Sequence, residues 1–175
     1  MRIAARIEGR EQTVSLVSER VGELLGPETS TLAGDESASW WRDYLLPQRL
    51  DQQSNEILLR CGVRSRETAT LVTGLIAALE SLGVSIHYLA ASPGLGVVTT
   101  RLRLANDDSA EKLSEVHDVA QRLAETATIL AAPTDWKRNL DVWGRVPDGL
   151  AVMKALRAEF DPTRTINPGR FAGFL

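Results

Sequence analysis

Arginine recurs on the polar side of three strand-like runs in this sequence. Residues 2–8, 57–64 and 97–104 alternate apolar and polar side chains, as half-buried strands do. If helices cover the apolar sides, the arginines share the open face of a sheet, where each guanidinium can bind a carboxylate or phosphate. The alternative is a solvated sheet face on which they pair with nearby Glu or Asp. The residues concerned are Arg2, Arg6, Arg60, Arg64, Arg101 and Arg103.

A histidine joins this set on a fourth strand-like run, residues 84–90. His87 lies on the polar side of that run, next to Tyr88. An imidazole there can exchange a proton with a bound substrate, or it can be an incidental surface residue. We therefore take Arg60, Arg101 and His87 as candidate substrate-binding residues for a small anion. The second histidine, His117, borders the apolar stripe of a helix and is expected to pack.

Other chemistry-bearing motifs are missing from the sequence. Two histidines thirty residues apart and one cysteine give no metal-ligand spacing. The pair Gly94 and Gly96 lacks the third glycine and the following helix of a dinucleotide fingerprint, and a hairpin turn accounts for it. There is no P-loop and no nucleophile elbow. We assign no metal site, and the catalytic residues stay unknown.

Composition sets the broad class of protein. The chain has 175 residues, 43% of them hydrophobic and 25% charged, which is typical of one globular domain with a real core. A net charge of −3 argues against a nucleic-acid partner. The single Cys61 cannot form an internal disulfide, and no apolar run approaches the length of a membrane helix. We expect a cytoplasmic protein without a membrane span.

The periodic patterns predict the order β-α-β-α-β-β-α-β-α. Strands are expected at 2–8, 57–64, 84–90, 97–104 and 128–131, and helices at 10–25, 65–83, 110–126 and 148–160. A short helical island, with Asp35 as a possible cap, carries Trp40, Trp41 and Tyr44. The turn residues 92–96 and the short connections favour a mainly antiparallel sheet with helices on one face, an α+β fold. We expect this domain to span residues 1–160.

The last stretch, residues 161–175, is built to follow a fixed irregular path. Pro162 and Pro168 disfavour helix at the residues before them, and Gly169 permits backbone angles that other residues avoid. Chain ends are normally frayed. A terminal segment whose backbone angles are restricted at several positions is therefore predicted to dock on another surface.

The tail also carries a family resemblance. A helix running into Phe160-Asp161-Pro162 and then Ile166-Asn167-Pro168-Gly169-Arg170 resembles the C-terminal end of FAD-linked oxidases of the vanillyl-alcohol oxidase type. Within that family it is most similar to the second flavin-type subunits of bacterial glycolate oxidases. The resemblance extends to residues 141–144 with Pro147, to 153–156 and to 41–44.

The resemblance implies both a fold and a function. The fold is a ferredoxin-like cap lying over a flavin, with FAD held mainly by an N-terminal FAD-binding domain or subunit that is absent from this chain. The reaction is oxidation of a small 2-hydroxy acid such as glycolate, and further subunits of an oxidase complex are possible partners. Asn167 and Arg170 would contact the cofactor side as the tail docks on the missing domain; alternatively, the tail only seals its own domain.

The sequence departs from the family in one motif. Catalytic relatives carry a His-Gly-Asp-Gly-Asn-x-His-like metal and substrate motif in the corresponding half, and this sequence has none. The alternative function is a stand-alone ferredoxin-like ligand-binding or interaction module without catalysis, since one fold hosts many functions.

Overall fold

The computed structural model describes residues 2–48, 55–104 and 109–172. Two compact units divide the chain at Tyr44 and Leu45. The helices are α1 (Glu11–Leu25), α2 (Gly34–Leu45), α3 (Thr68–Ser81), α4 (Ser109–Leu123) and α5 (Leu150–Phe160). The strands are β1 (Glu56–Gly62), β2 (Ser85–Ser92), β3 (Val97–Arg103) and β4 (Thr126–Ala131), and short 3-10 turns lie at Leu46–Gln48, Ser65–Glu67, Pro93–Leu95 and Thr134–Lys137.

The second unit is built on a four-stranded antiparallel sheet. The strand order is β2-β3-β1-β4, and the chain order β1-α3-β2-β3-α4-β4 makes this a ferredoxin-like arrangement. Helices α3 and α4 contact each other and the sheet strands. The predicted α+β class, with an antiparallel sheet and helices on one face, is confirmed. None of the helices in the described ranges is long and apolar enough to cross a membrane.

The core lies between the sheet and the two helices. Ile57, Leu59 and Cys61 of β1 are fully buried, and they meet the buried stripes of α3 and α4, which include Leu75 and Leu113. Burying each large apolar side chain contributes roughly 1.5–3 kcal/mol. Burial also raises the pKa of the Cys61 thiol to about 12, because a thiolate there would lose its hydration. Cys61 is therefore a core residue.

The hairpin between β2 and β3 depends on one glycine. Gly96 has a φ of +67° and its carbonyl accepts a 2.9 Å hydrogen bond from the Val63 amide. A Cβ at Gly96 would lie 1.9 Å from the Val63 carbonyl oxygen. Only glycine fits both the left-handed backbone and this close approach.

The strand predicted at residues 2–8 is wrong. These residues belong to no helix or strand, and most are exposed. An alternating pattern shows that a segment can form a strand, but it supplies no partner strand, and the sheet formed by the described residues consists of β1 to β4. Arg2 and Arg6 therefore do not belong to a strand. Arg6 instead forms an ion pair with Glu8, and its guanidinium lies 5.8 Å from the centre of the Trp41 ring.

The short island near Trp40 is a complete helix, α2. Asp35 is the second residue of this helix and so does not cap it. Trp40, Trp41 and Tyr44 pack together as predicted, with ring centroids between 4.9 and 5.6 Å apart. This aromatic cluster does not form a buried core, because neither α1 nor α2 contains a buried residue.

Candidate functional site

The candidate site lies on the sheet face opposite α3 and α4. The register of β1 and β3 pairs Glu56 with Arg103, Leu58 with Arg101, and Arg60 with Thr99. Since side chains alternate along a strand, these residues point away from the buried face formed by Ile57, Leu59 and Cys61. Arg60, Arg101 and Arg103 thus share the open face, as the alternation predicted.

Glu56 joins two of these arginines. Its side chain is only 10% exposed, and both carboxylate oxygens are engaged. Arg101 Nε donates to Oε2 at 2.7 Å, Arg101 Nη2 contacts the same oxygen, and Arg103 Nη2 donates to Oε1 at 2.9 Å. Burial alone would raise the pKa of Glu56, but these hydrogen bonds outweigh it and hold the pKa below its ordinary value. The carboxylate is therefore ionised, with its charge compensated by two guanidinium groups.

A cavity opens beside this network. It has a volume of about 290 Å³ and is lined by Pro47, Glu56, His87, Tyr88 and Arg101. Pro47 comes from the turn Leu46–Gln48, which contacts β3. The cavity brings together two of the three residues proposed from the sequence, His87 and Arg101.

His87 sits at a register shift in β2. Ile86 pairs with Leu102 and Tyr88 pairs with Arg101, so His87 is an extra residue that has no partner in β3. Such a bulge bends the strand locally and redirects the side chain at that position. The exposed imidazole lines the cavity beside Tyr88, and the shift places Tyr88 opposite Arg101.

Arg60 lies apart from the cavity. It is exposed on β1 between Thr99 of β3 and Thr128 of β4, and its guanidinium has no ion pair or hydrogen bond with any described residue. Arg64 follows β1 and forms an ion pair with Glu125, with 3.2 Å between Nε and Oε1. Within the second unit, the four arginines of the sequence pattern therefore do not form one cluster.

Glu56 is the site residue that the sequence analysis missed. The strand was expected to begin at Ile57, which left Glu56 in the preceding loop. Extending the alternation by one residue would have placed Glu56 on the arginine face. Its pairing with Arg101 and Arg103, 45 and 47 residues away, depends on the register of β1 against β3.

The start of the tail is held by one carboxylate. Asp161 accepts hydrogen bonds from the Thr165 amide at 2.8 Å, the Ile166 amide at 3.0 Å and the Thr165 hydroxyl at 3.0 Å. The amide hydrogen bonds from Thr165 and Ile166 lower the pKa of Asp161 from its ordinary value. Arg157 of α5 donates to the Ile166 carbonyl at 3.2 Å. The path after Pro162 is thus fixed locally.

Asn167 and Arg170 both have exposed side chains. Asn167 adopts a left-handed φ of 42°, and its carbonyl accepts a hydrogen bond from the Arg170 amide. The Arg170 carbonyl in turn accepts a 3.2 Å hydrogen bond from Trp143 Nε1, and the Phe171 ring lies 4.9 Å from that of Trp143. The backbone at Arg170 contacts its own domain, while the two side chains remain available. The last residues of the predicted docking tail, which include the apolar Phe174 and Leu175, lie outside the described residues.

His117 belongs to the core, as predicted. It is fully buried, with Nε2 3.0 Å from the Ala127 carbonyl oxygen and Nδ1 3.4 Å from Gln121 Nε2. This arrangement links α4 to β4 and leaves no role for His117 at the cavity.

No group of three or more His, Cys, Asp or Glu side chains in the described ranges could hold a metal ion. Neither a protein-family model nor a curated protein matches this chain.

Proposed function

We propose that this chain is the substrate-side cap of an FAD-dependent oxidoreductase that oxidises a small, glycolate-like 2-hydroxy acid. The observation that carries the proposal is the meeting of His87 and Arg101 at one cavity on the open sheet face. The resemblance of residues 160–171 to the end of FAD-linked oxidases supplies the reaction class. FAD would be held mainly by a flavin-binding domain or subunit outside residues 1–175.

The size of the cavity favours a small acid. At about 290 Å³ it lies at the small end of ligand-binding sites. A two- or three-carbon acid fits such a volume. The lining residues therefore suit the substrate side of a flavin site, and the rest of FAD would be held elsewhere.

Each cavity residue has a separate part in the proposed reaction. The bound flavin supplies a hydride acceptor for the carbon that bears the hydroxyl. Arg101 donates hydrogen bonds to the substrate carboxylate and fixes its orientation. His87 takes the hydroxyl proton as the carbonyl of the 2-oxo acid product forms. In the tail, the exposed Asn167 and Arg170 side chains contact the cofactor side as residues 161–175 dock on the flavin domain.

Reconstitution with a flavin-binding domain or subunit encoded beside this chain tests the proposal. Glycolate added without oxygen should bleach the flavin absorbance. Arg101→Ala should raise KM about 10- to 100-fold through the lost charged hydrogen bond, whereas Arg60→Ala should change KM little because Arg60 lies apart from the cavity. His87→Ala should lower kcat about 100-fold or more. Arg20→Ala, on an exposed pair with Glu23 of α1, is the control and should change neither. Failure of every 2-hydroxy acid to reduce the flavin would contradict the proposal.

The purified chain alone is expected to bind no FAD tightly, because its sequence has no glycine-rich phosphate-binding loop. Purification with excess FAD, followed by desalting and an absorbance spectrum, measures this. A stoichiometric yellow complex would mean that this chain alone holds the whole cofactor site. That result would contradict the proposal that a separate flavin-binding domain or subunit holds most of the FAD.

The second candidate is a stand-alone ferredoxin-like ligand-binding or interaction module without catalysis. Two observations favour it: Arg101 is already paired with Glu56, and the backbone of Arg170 is bound by Trp143 of the same unit. One simple observation distinguishes the two candidate functions. An adjacent or in-frame flavin-domain sequence supports the oxidoreductase, whereas ligand binding without any such partner supports the module.

A further inference from the structure

We propose that Glu56 is a positioning residue that holds Arg101 edge-on in the cavity wall and makes the cavity select a singly charged small carboxylate over a doubly charged one. The inference rests on the proposed function only in treating this acid as a substrate. Binding of the acid is a property of this chain alone and can be measured without flavin.

The geometry of the pair fixes which donors of Arg101 remain available. Arg101 turns its Nε and Nη2 toward Oε2 of Glu56. A guanidinium has five N–H donors in a rigid plane, and Nη1 of Arg101 has no partner in the part of the chain that the structure describes. Because Arg101 lines the cavity, its Nη1 edge is the one left to a ligand.

Arg103 keeps the carboxylate itself from turning. It donates to Oε1, so the two Glu56 oxygens are held by two different guanidinium groups from one strand. A carboxylate held at both oxygens cannot swing to follow Arg101, and Arg101 cannot rotate without losing its pair. The orientation of the Nη1 edge is therefore set before any ligand arrives, which lowers the entropic cost of binding.

The charges of the same three residues limit what binds. Glu56 offsets one of the two arginine charges, which leaves a single net positive charge for the group. One ligand carboxylate matches it. A second carboxylate in this small cavity would approach the Glu56 carboxylate, which also lines the wall, and would lose hydration without a second cation to compensate. Glu56 therefore excludes dianions while it positions Arg101 for monoanions.

Glycolate and tartronate form a suitable pair of probes, since tartronate is glycolate with one additional carboxylate. Each is titrated at neutral pH and constant ionic strength into the purified, isotopically labelled full chain. Binding is followed by NMR shifts of the His87 and Tyr88 amides and of the Arg101 Nε–H. Glycolate should bind at least about tenfold more tightly than tartronate.

Glu56→Gln removes the charge and keeps a side-chain acceptor for Arg101. It should shift the ratio of the two dissociation constants toward tartronate by about tenfold or more. Glu56→Asp keeps the charge and should keep the preference for glycolate. The matched control is Glu125→Gln, which breaks the ion pair with Arg64 beyond the other end of β1 and should leave both constants unchanged.

Three results would overturn the inference: no shifts at the cavity with either acid, equal affinity of the wild-type chain for both acids, or an unchanged ratio in folded Glu56→Gln. The wild-type measurement alone decides the matter if Glu56→Gln does not fold. Selective glycolate binding together with failed flavin reduction would support this inference while contradicting the proposed oxidoreductase.

Discussion

Glu56 keeps its charge in a largely buried position because two guanidinium groups donate to its oxygens. A lone buried carboxylate would become neutral, and a lone buried arginine would be costly. The ion pairs on exposed helix surfaces, such as Arg20 with Glu23, contribute little by comparison. The contribution of the open sheet face to the free energy of unfolding should therefore depend on pH mainly through Glu56.

The direction of this dependence follows from the lowered pKa of Glu56. In the unfolded chain the carboxyl titrates near its ordinary value of 4.5, and in the folded chain it titrates below that value. The stabilisation is fully present above about pH 4.5 and is lost as the pH falls through the folded pKa. Glu56→Gln should lower the free energy of unfolding by about 1–3 kcal/mol at pH 7 and flatten its decline in acid. Urea unfolding between pH 3 and 7 measures both effects, with Glu125→Gln as the exposed control. Parallel pH profiles for Glu56→Gln and wild type would contradict the prediction.

Gly96 and Gly94 offer a matched test of the hairpin. Gly96→Ala forces an alanine into a left-handed backbone and against the Val63 carbonyl, so it should cost about 2 kcal/mol or more. Gly94 has open space around its Cβ position, so Gly94→Ala should change stability by less than about 1 kcal/mol. Thermal or urea unfolding of both variants provides the comparison. A similar effect at the two positions would show that the close approach to Val63 does not constrain the turn.

At the scale of elements, local sequence signals predicted most of the second unit. The turn residues 92–96 correctly joined β2 to β3, and the leucine spacing after Ser65 correctly gave α3. The predicted helix 110–126 was too long, because α4 ends at Leu123 and β4 already begins at Thr126. Periodicity locates an element well, but the contacts that end it come from other parts of the chain.

The candidate site was less accessible to the same reasoning. Alternation placed Arg101 and His87 on the open face, but the cavity also needs the register shift that brings Tyr88 opposite Arg101, and the turn at Pro47. It needs the register that brings Glu56 to Arg101 as well. Each of these features depends on how distant segments pair or pack. The sequence of any one segment therefore does not predict it.

Asp161 determines how the segment after α5 is held. Its carboxylate accepts the Thr165 and Ile166 amides, so these amides should exchange with solvent more slowly than those of the exposed turn that follows them. Asp161→Ala should raise the exchange rates at Thr165 and Ile166 about tenfold or more while α5 stays protected. Hydrogen exchange read by NMR measures both, with the exposed Asp148→Ala as control. Unchanged rates in Asp161→Ala would show that something other than Asp161 protects these amides.

At the scale of the whole molecule, burial is distributed unevenly along the chain. Every buried apolar residue in the described ranges lies between Ile57 and Ala172. The unit of residues 1–44 has two amphipathic helices but none of its described residues is buried. Too few apolar groups are buried there for it to fold independently. The second unit holds a continuous core of its own.

A chain lacking residues 1–44 should therefore still fold. We expect residues 45–175 to unfold cooperatively, with a midpoint within about 5 °C of the full chain. Circular dichroism melting at several concentrations measures this. Leu75→Ala in the full chain is the contrast, because a fully buried leucine should cost about 2–5 kcal/mol. A gradual, non-cooperative melt of the shortened chain would mean that the core needs the first unit.

At the register shift, β2 has one residue more than β3, and that residue is His87. If its codon were lost, Ile86 and Tyr88 would become neighbours, and each could keep its present partner, Leu102 and Arg101. The register on both sides of the shift would be kept, while the cavity would lose its imidazole. A single in-frame deletion would therefore remove the imidazole from the cavity without shifting the pairing of β2 with β3.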